Sequence, residues 1–541
     1  MLHPSPTQVY TIVFVGITAI LSLRVVATDL SSFVVKGDAI PKLDAPIQDS
    51  YAGMLPLGSE DESNDRNSLY FWYFPTTRNG DSDSLTLWLS ASQRCSAVFE
   101  VFDGLSPIMW RPGASSPTRN NASWASDTNL LYIDQPLGVG YSIGVPNIKT
   151  EAEAADQVYT TLTRFYEMFP DQQDKKLILA GSQYAGFSAP ALAKRIIDAT
   201  DTGGLARPIS VHAIILQSAI LAEHWYQSHA SAHLFARANA ENLNISGSLL
   251  AQFDDVASNP ACGYKTALDN SARYPPQSLK DVTLTIEGSG GACEGGNKLR
   301  LAVKRKGECA SMADIRATCD TLNWFRDDKK KEEYLGLESP DVRKNLHGAE
   351  IYQRCNTAII DTFDPPVTPT QRDIADDATP DYYYAAGPYA NAILPTLIDS
   401  GKLPGGVHIV NGLDDATVMA NGTRLVLQGM SWGGKQGFQS EPKEKWTVDG
   451  QEVGLRHSER GLTYYEVDSA GTYVFLKYPT IAFEVLRAAV GGTSGSSESG
   501  TAPNGTAKDQ HGGIENGVGG CAHVSVFIMI LGTLGTVAMC L

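Results

Sequence analysis

The run KLILA ends at Ala180 and is followed by GSQYAG, Gly181 to Gly186, and then by a helix-forming segment. Strand, glycine-flanked turn and helix in that order make the place where an α/β sheet carries a nucleophile elbow, G-x-S-x-G or a near variant. Such a turn holds its central residue in a strained backbone with the side chain pointing into a cleft. The chemistry it serves is attack on a carbonyl by a hydroxyl or thiol whose proton a neighbouring base removes. Here the central residue is Gln183. A carboxamide cannot attack a carbonyl, and no base can activate it. His229 and His233 form a second grouping, since i, i+4 spacing fits a metal pair. The segment reads HASAH, without the Glu of HExxH and with no evident third ligand, so a structural role is expected. The cysteines form no CxxC pairs, which argues against zinc. No metal or other cofactor is expected.

The elements that must hold residue 183 read as alternating strands and helices. Leu69 to Phe74 and Leu85 to Leu89 are β-rich runs separated by NGDSDS, a turn signal that predicts a hairpin. Leu130 to Ile133, Leu177 to Ala180 and Ile214 to Gln217 are further strands, with late ones in 405–415 and 462–468. Thr150 to Glu153 fits the capping box T-x-x-E. Ala155, Val158, Tyr159, Leu162, Phe165, Tyr166 and Phe169 then share one helical face up to Pro170. Helices are also expected over Ala189–Ile197 and Ile481–Ala489. This alternation predicts a largely parallel α/β sheet. From about 220 to 360 the pattern breaks. That stretch holds five of the six ectodomain cysteines and the charge runs Lys304–Lys306 and Asp327–Glu333, so it reads as a disulfide-stapled insertion with solvated charges.

The 541 residues carry 43 Lys+Arg against 60 Asp+Glu, a net charge of −17. That balance argues against a nucleic-acid partner and against adhesion to an anionic membrane surface. Residues 1–27 read as a signal peptide. Val9 to Leu23 is its apolar core, and Val25 and Ala27 stand at the −3 and −1 positions. The folded domain is then 28–490. Residues 491–520 form a Gly/Ser/Thr linker, and 521–541 form an uncharged apolar tail. Linker, small residues and terminal apolar tail match a GPI-attachment signal, with Gly512, Gly513, Asn516 and Gly517 as possible attachment residues. A plain membrane-spanning tail is the alternative. The protein is therefore expected in the secretory pathway, at the outer surface or cell wall, with membrane contact only through a C-terminal lipid anchor. Cys95, Cys262, Cys293, Cys309, Cys319 and Cys355 suggest three disulfides, and spacing alone leaves 15 connectivities open. Sequons begin at Asn121, Asn244, Asn421 and Asn504, each meaningful only in an exposed loop.

Across residues 50 to 490 the chain resembles the serine carboxypeptidases of the α/β-hydrolase fold, especially their secreted fungal branch. FWYFPT from Phe71, LTLWL followed by RCSA, and SWASDTNLLYIDQPLGVGYS from Ser123 carry the likeness, together with CGY at Cys262, ANGT at Ala420 and SERGLTY at Ser458. Relatives place the nucleophile in GESYAG or GESYGG, where this chain has Gln183. They place the base in GHMVP, where this chain has Gly471-Thr472-Tyr473-Val474-Phe475. The resemblance keeps only the acid, Asp415 in GLDDATVMANGT. The family's NGGPG oxyanion loop has become Ser90-Ala91-Ser92-Gln93-Arg94. Ser90 and Ser182 stand where the family grips the substrate carboxylate with Asn and Glu. The resemblance also implies Cys95–Cys355, with Cys262–Cys319 and Cys293–Cys309 nested.

Two triad members out of three are therefore replaced. The backbone N–H of Tyr184 is expected to survive as one oxyanion donor. Asp415 needs substitute donors, for which the Thr472 hydroxyl, nearby N–H groups or Arg94 are candidates. Gln183, Arg94 and Asp415 are expected to line a concave site. Rescue by Ser182 or His457 runs against the geometry a triad needs. The expected function is a surface-anchored carboxypeptidase homologue without peptidase activity that binds a peptide or glycan. The alternative is an active serine-type carboxypeptidase releasing C-terminal residues.

Overall fold

The computed structural model describes residues 29–40, 43–58, 67–78, 82–92, 94–111, 114–203, 207–223, 225–278, 292–307, 309–319, 336–356 and 390–491. The expected signal peptide, linker, C-terminal tail, Asn504 and the Asp327–Glu333 charge run lie outside them. Among the described residues no helix is long and apolar enough to cross a membrane.

The strands are β1 (Val34–Val35), β2 (Ser50–Pro56), β3 (Ser68–Phe74), β4 (Ser84–Leu89), β5 (Ile108–Met109), β6 (Thr118–Arg119), β7 (Asn129–Asp134), β8 (Lys176–Ser182), β9 (Val211–Gln217), β10 (Gly406–Gly412), β11 (Ser431–Trp432), β12 (Lys435–Gln436), β13 (Glu444–Val448), β14 (Gln451–Glu459) and β15 (Leu462–Val467). Eleven form one sheet in the order β1-β2-β3-β7-β4-β8-β9-β10-β15-β14-β13. The run from β7 to β15 is parallel, and antiparallel strands flank it on both sides. This is the α/β-hydrolase architecture, with helices on both faces. Along β3 the side chains alternate between two cores, Leu69, Phe71 and Tyr73 in one and Tyr70, Trp72 and Phe74 in the other. Helices α1 (Glu151–Met168) and α2 (Ala185–Asp201) cover the first core, and the helix Pro479–Gly491 covers the second.

Helix α1 starts as its sequence predicts. The Thr150 hydroxyl accepts from the N–H of Glu153, and the Glu153 carboxylate reaches back to the N–H of Lys149. Every residue of its expected apolar face, through Phe169 just past its end, joins the first core.

The expected hairpin is not formed. β7 lies between β3 and β4, antiparallel to the first and parallel to the second. Every residue of β4 and of β7 is buried, so each needs a neighbour on both sides. β3 and β4 are therefore not neighbours, and the first half of NGDSDS lies outside the described residues.

The insertion is helical where it is described: Ala232–Ala238, Gly247–Ser258, Tyr264–Ser271, Gly295–Lys306 and Pro340–Asn345. Phe235, Phe253, Leu299, Val303 and Ile315 form its own small core, which also takes in Ala416 and Met419. The insertion thereby packs onto the segment that carries Asp415. Cys95 is bonded to Cys355, with Cα atoms 4.0 Å apart. The nested pairs are not present. Cys262 bonds Cys293 and Cys309 bonds Cys319. The helix Gly295–Lys306 explains the difference: its twelve residues span about 18 Å and keep Cys293 far from Cys309. Cys293 is instead held beside Cys262, where its carbonyl accepts from the Tyr264 hydroxyl at 2.8 Å.

The Cys95–Cys355 bridge closes a separation of 260 residues. Chain-entropy reasoning then gives it about 5 kcal/mol of stability. Cys95→Ser with Cys355→Ser should lower the unfolding free energy, read from urea titration, by close to that amount, whereas removing Cys309–Cys319, ten residues apart, should cost clearly less.

Of the described sequons, Asn121 and Asn244 are exposed in turns, Asn244 with φ +51°. Asn421 is not in an exposed loop. It lies in the first turn of the helix Ala420–Gly429, where a Cβ on Gly422 would meet the Gln227 backbone at 2.4 Å and Thr423 is fully buried. Glycosidase-sensitive mass should disappear stepwise in Asn121→Gln and Asn244→Gln, while Asn421→Gln should change nothing.

Candidate functional site

Three turns at the carboxyl ends of central strands carry the positions of interest, with β9 standing between the first strand and the second. Gln183 follows β8, Asp415 follows β10 and Thr472 follows β15. In open α/β sheets this edge is where ligands are held.

Gln183 has φ +47°, a left-handed conformation that non-glycine residues seldom adopt. The turn is locked by the main chain. The Gln183 N–H donates to the carbonyl of Gln217 (3.1 Å), and its own carbonyl accepts from Ile220 (2.9 Å) and Gly186 (3.0 Å). The flanking glycines are required by close approach: a Cβ on Gly186 would lie 1.9 Å from the Ile220 carbonyl, and one on Gly181 2.5 Å from that of Leu89. The backbone of an elbow is thus complete, with a buried carboxamide at its centre.

Asp415 is fully buried. Its Oδ1 accepts from the N–H groups of Thr417 (2.8 Å) and Val418 (3.0 Å), so two of the expected substitute donors are backbone amides. Arg94 is not among its hydrogen-bond partners. The hydroxyls of Thr472 and Ser218 lie near enough to favour the ionised form, but neither is aligned as a hydrogen bond, and Oδ2 has no partner among the described residues. Burial outweighs these contacts and pushes the carboxyl up to about 7. Thr472 is itself buried, and its N–H donates to the carbonyl of Ala313 at 2.7 Å. The loop closed by Cys309–Cys319 is laid across both turns: Ala416 donates to Met312, and Ile315 donates to the carbonyl of Asp414.

The oxyanion position differs from expectation. The N–H of Tyr184 does not face a free site; it donates to the carbonyl of Ala91 at 3.1 Å. The replaced loop has folded inward and supplied its own acceptor. Glu100 fixes that conformation, accepting from the Trp88 indole (2.7 Å), the Ser90 hydroxyl (2.9 Å) and the Ala91 N–H (2.8 Å). Burial, helped by Asp103, pushes the Glu100 carboxyl up to about 7 against those three donors. Glu100 was not singled out in the sequence, because an acid in FEVF carries no motif. Ser92 is buried and its hydroxyl has no partner among the described residues. Arg94 is half-buried and its carbonyl accepts from Asn356 at 2.8 Å.

Ser182 is the last residue of β8 and is buried opposite Gln217 in the sheet register. His457 lies on β14, its Nε2 held by Glu459 at 3.0 Å and its ring edge-on to Phe438. Nδ1 of His229 accepts from the N–H of Gly296 (3.3 Å), and burial lowers this imidazole to about 4, which fits the structural role expected of it.

Gln183 and Asp415 are buried, and Arg94 is half-buried. A cavity of about 430 Å³ is lined by the neighbours of Thr472, Gly471 and Tyr473, with Arg111, Asp314, Arg316 and Lys477 around it. The Ser90–Ser92 turn bonds to the elbow through Ala91, and the Cys309–Cys319 loop bonds to the segment around Asp415 through Met312 and Ile315.

A profile of the serine carboxypeptidase family (peptidase S10) matches residues 41–492. The chain is 29% identical over 474 residues to a carboxypeptidase Y homolog of Arthroderma benhamiae, covering 85% of this chain and 86% of that one. It is 25% identical over 464 residues to serine-type carboxypeptidase F of Aspergillus niger, covering 80% and 82%. Among solved structures, the prohormone-processing carboxypeptidase KEX1(delta)p of Saccharomyces cerevisiae has the same fold, with a TM-score of 0.62 at 20% identity over 85% of this chain and 95% of that one.

Proposed function

This chain belongs to the serine carboxypeptidase family, and we propose that it is a member that no longer cuts and instead binds a peptide or glycan at the cell surface. The observation that carries this reading is Gln183 on an otherwise complete elbow. Hydrolysis by this family's chemistry needs a nucleophile, a base and oxyanion donors. Gln183 supplies no nucleophile, and Thr472 has no group that titrates near neutral pH. The Tyr184 N–H is taken by Ala91. Export and lipid anchoring rest on the two chain ends, and three disulfides agree with an oxidising compartment.

The test is release of C-terminal residues from N-blocked dipeptides by the purified chain, alongside fluorophosphonate labelling. Neither should rise above a heat-denatured control. Labelling abolished by Ser182→Ala would mean that the nucleophile sits one residue before the elbow and would overturn the reading. Anchoring is tested by phospholipase treatment of intact cells, which should release the protein. Retention, with a tail peptide ending at Leu541, would indicate a spanning tail.

A further inference from the structure

We infer that the cavity beside Thr472 is an anion-binding subsite that takes a short peptide through a side-chain carboxylate. This rests on the binding reading above and names its ligand chemistry. The cavity holds about 430 Å³, within the range of ligand sites. Three cations reach it, Arg111, Arg316 and Lys477, with Asp314 in the lining and Asp414 bonded to Arg316 behind it.

Two of the cations are only partly neutralised. Arg316 uses Nε alone, bridging both oxygens of Asp414 at 2.8 and 2.9 Å, and its side chain is 52% exposed. Its terminal nitrogens have no acceptor among the described residues. Lys477 makes one ion pair, to Asp314 at 3.2 Å, and its ammonium lies 5.9 Å from the centre of the Tyr478 ring. The exposed guanidinium of Arg111 has no acidic partner among the described residues. An arginine fork with free donors suits a planar carboxylate.

The setting makes this concentration of charge informative. The chain carries a net −17, so a concave spot with three cations stands against the field of the whole molecule. A long polyanion would extend from the cavity over repulsive surface, whereas a peptide bearing one carboxylate would not. Tyr473, Leu476 and Pro479 give the cavity an apolar wall for a neighbouring side chain. The walls are also fixed before any ligand arrives. The Thr472–Ala313 hydrogen bond, the Arg316–Asp414 pair and the Cys309–Cys319 bridge tie the two sides together, which lowers the ordering cost of binding. Gly471 leaves that junction no room for a side chain: a Cβ there would lie 2.2 Å from the Ala313 carbonyl.

The experiment is calorimetric titration of the full chain at low salt with acetyl-Leu-Glu-Leu-amide and its Gln isostere. The Glu peptide should bind at least ~10-fold more tightly, one charge-assisted contact's worth, and the preference should shrink as salt is raised. Arg111→Gln and Lys477→Gln should each reduce it to below ~3-fold, while Arg111→Lys should largely retain it. Equal affinity for the two peptides, or a preference unchanged in both Gln variants, would overturn the subsite. So would Arg111-dependent binding of a sulfated tetrasaccharide with no peptide binding, since that assigns the cavity to a glycan. Mass spectrometry of the same samples separates the two readings. Cleaved peptide would sink the non-cutting reading alone, and peptide binding without Glu preference would sink the anion site alone.

Discussion

Restoring the two missing triad side chains, Gln183→Ser with Thr472→His, should leave C-terminal residue release undetectable. In enzymes of this type, loss of the nucleophile or base costs about 10⁶ in kcat, and re-creating both might be expected to return much of that. Three features of the structure oppose it. The Tyr184 N–H is bonded to the Ala91 carbonyl, and one absent oxyanion donor alone costs about 10²–10³. The Ser90–Ala91 conformation is held by three donors converging on buried Glu100. An imidazole at 472 would have to fit a buried position whose backbone is tied to Ala313, and overpacking costs about 1–3 kcal/mol. Turnover should first emerge when Ser90–Arg94 is also replaced by a glycine-rich loop. The assay is release from N-blocked dipeptides by the double and loop-replaced variants in parallel. Appreciable turnover by the double variant would show that the Ala91 carbonyl gives way to substrate.

Asp415→Asn should stabilise the protein above pH 7 and do little at pH 5. Burial raises the folded carboxyl to about 7, whereas in the unfolded chain it returns to the ordinary value near 4. Between those values the folded state holds a proton that the unfolded state has lost. The group's stabilising contribution is therefore full below about pH 4 and falls as pH rises, by about 1.4 kcal/mol per pH unit, until the folded carboxyl ionises near 7. At pH 8 the wild-type fold carries a buried charge with one oxygen unpaired, and Asn removes that charge. The gain should be a few kcal/mol at pH 8. Its amide can also donate toward Ser218 or Thr472, whose hydroxyls have no partner among the described residues. Urea midpoints of both proteins at pH 5 and pH 8 decide it. Destabilisation of equal size at both values would mean that Asp415 is ionised throughout and well held by Thr417 and Val418.

The parts of this molecule legible in its sequence are those written locally. The apolar stripe of α1, its capping box and the elbow around Gln183 each depend on residues a few positions apart, and the structure reproduces them. Of the pairings between distant segments, Cys95–Cys355 was legible through the family resemblance and the others were not. Nothing in β3 or β4 announces that β7 lies between them, because strand order is decided by burial on both edges. The sulfur pairings turned on a helix length, and the fate of the Tyr184 N–H on one carbonyl's direction, which no side-chain type encodes. The cationic cavity draws Arg111, Arg316 and Lys477 from three separate regions, so no window of sequence contains it.

The left-handed turn at Gln183 has a consequence for how activity is inferred from shape. A non-glycine residue there costs of order 1 kcal/mol, yet the chain keeps it with no nucleophile to present. The three bonds that hold it run entirely through main-chain atoms and join β8, β9 and α2. Folding alone is therefore enough to hold the elbow whatever side chain stands at its centre. Backbone superposition will group this chain with the hydrolases of its fold, whereas the side chains at positions 183 and 472 and the Ser90–Arg94 loop are where it departs from the family's pattern.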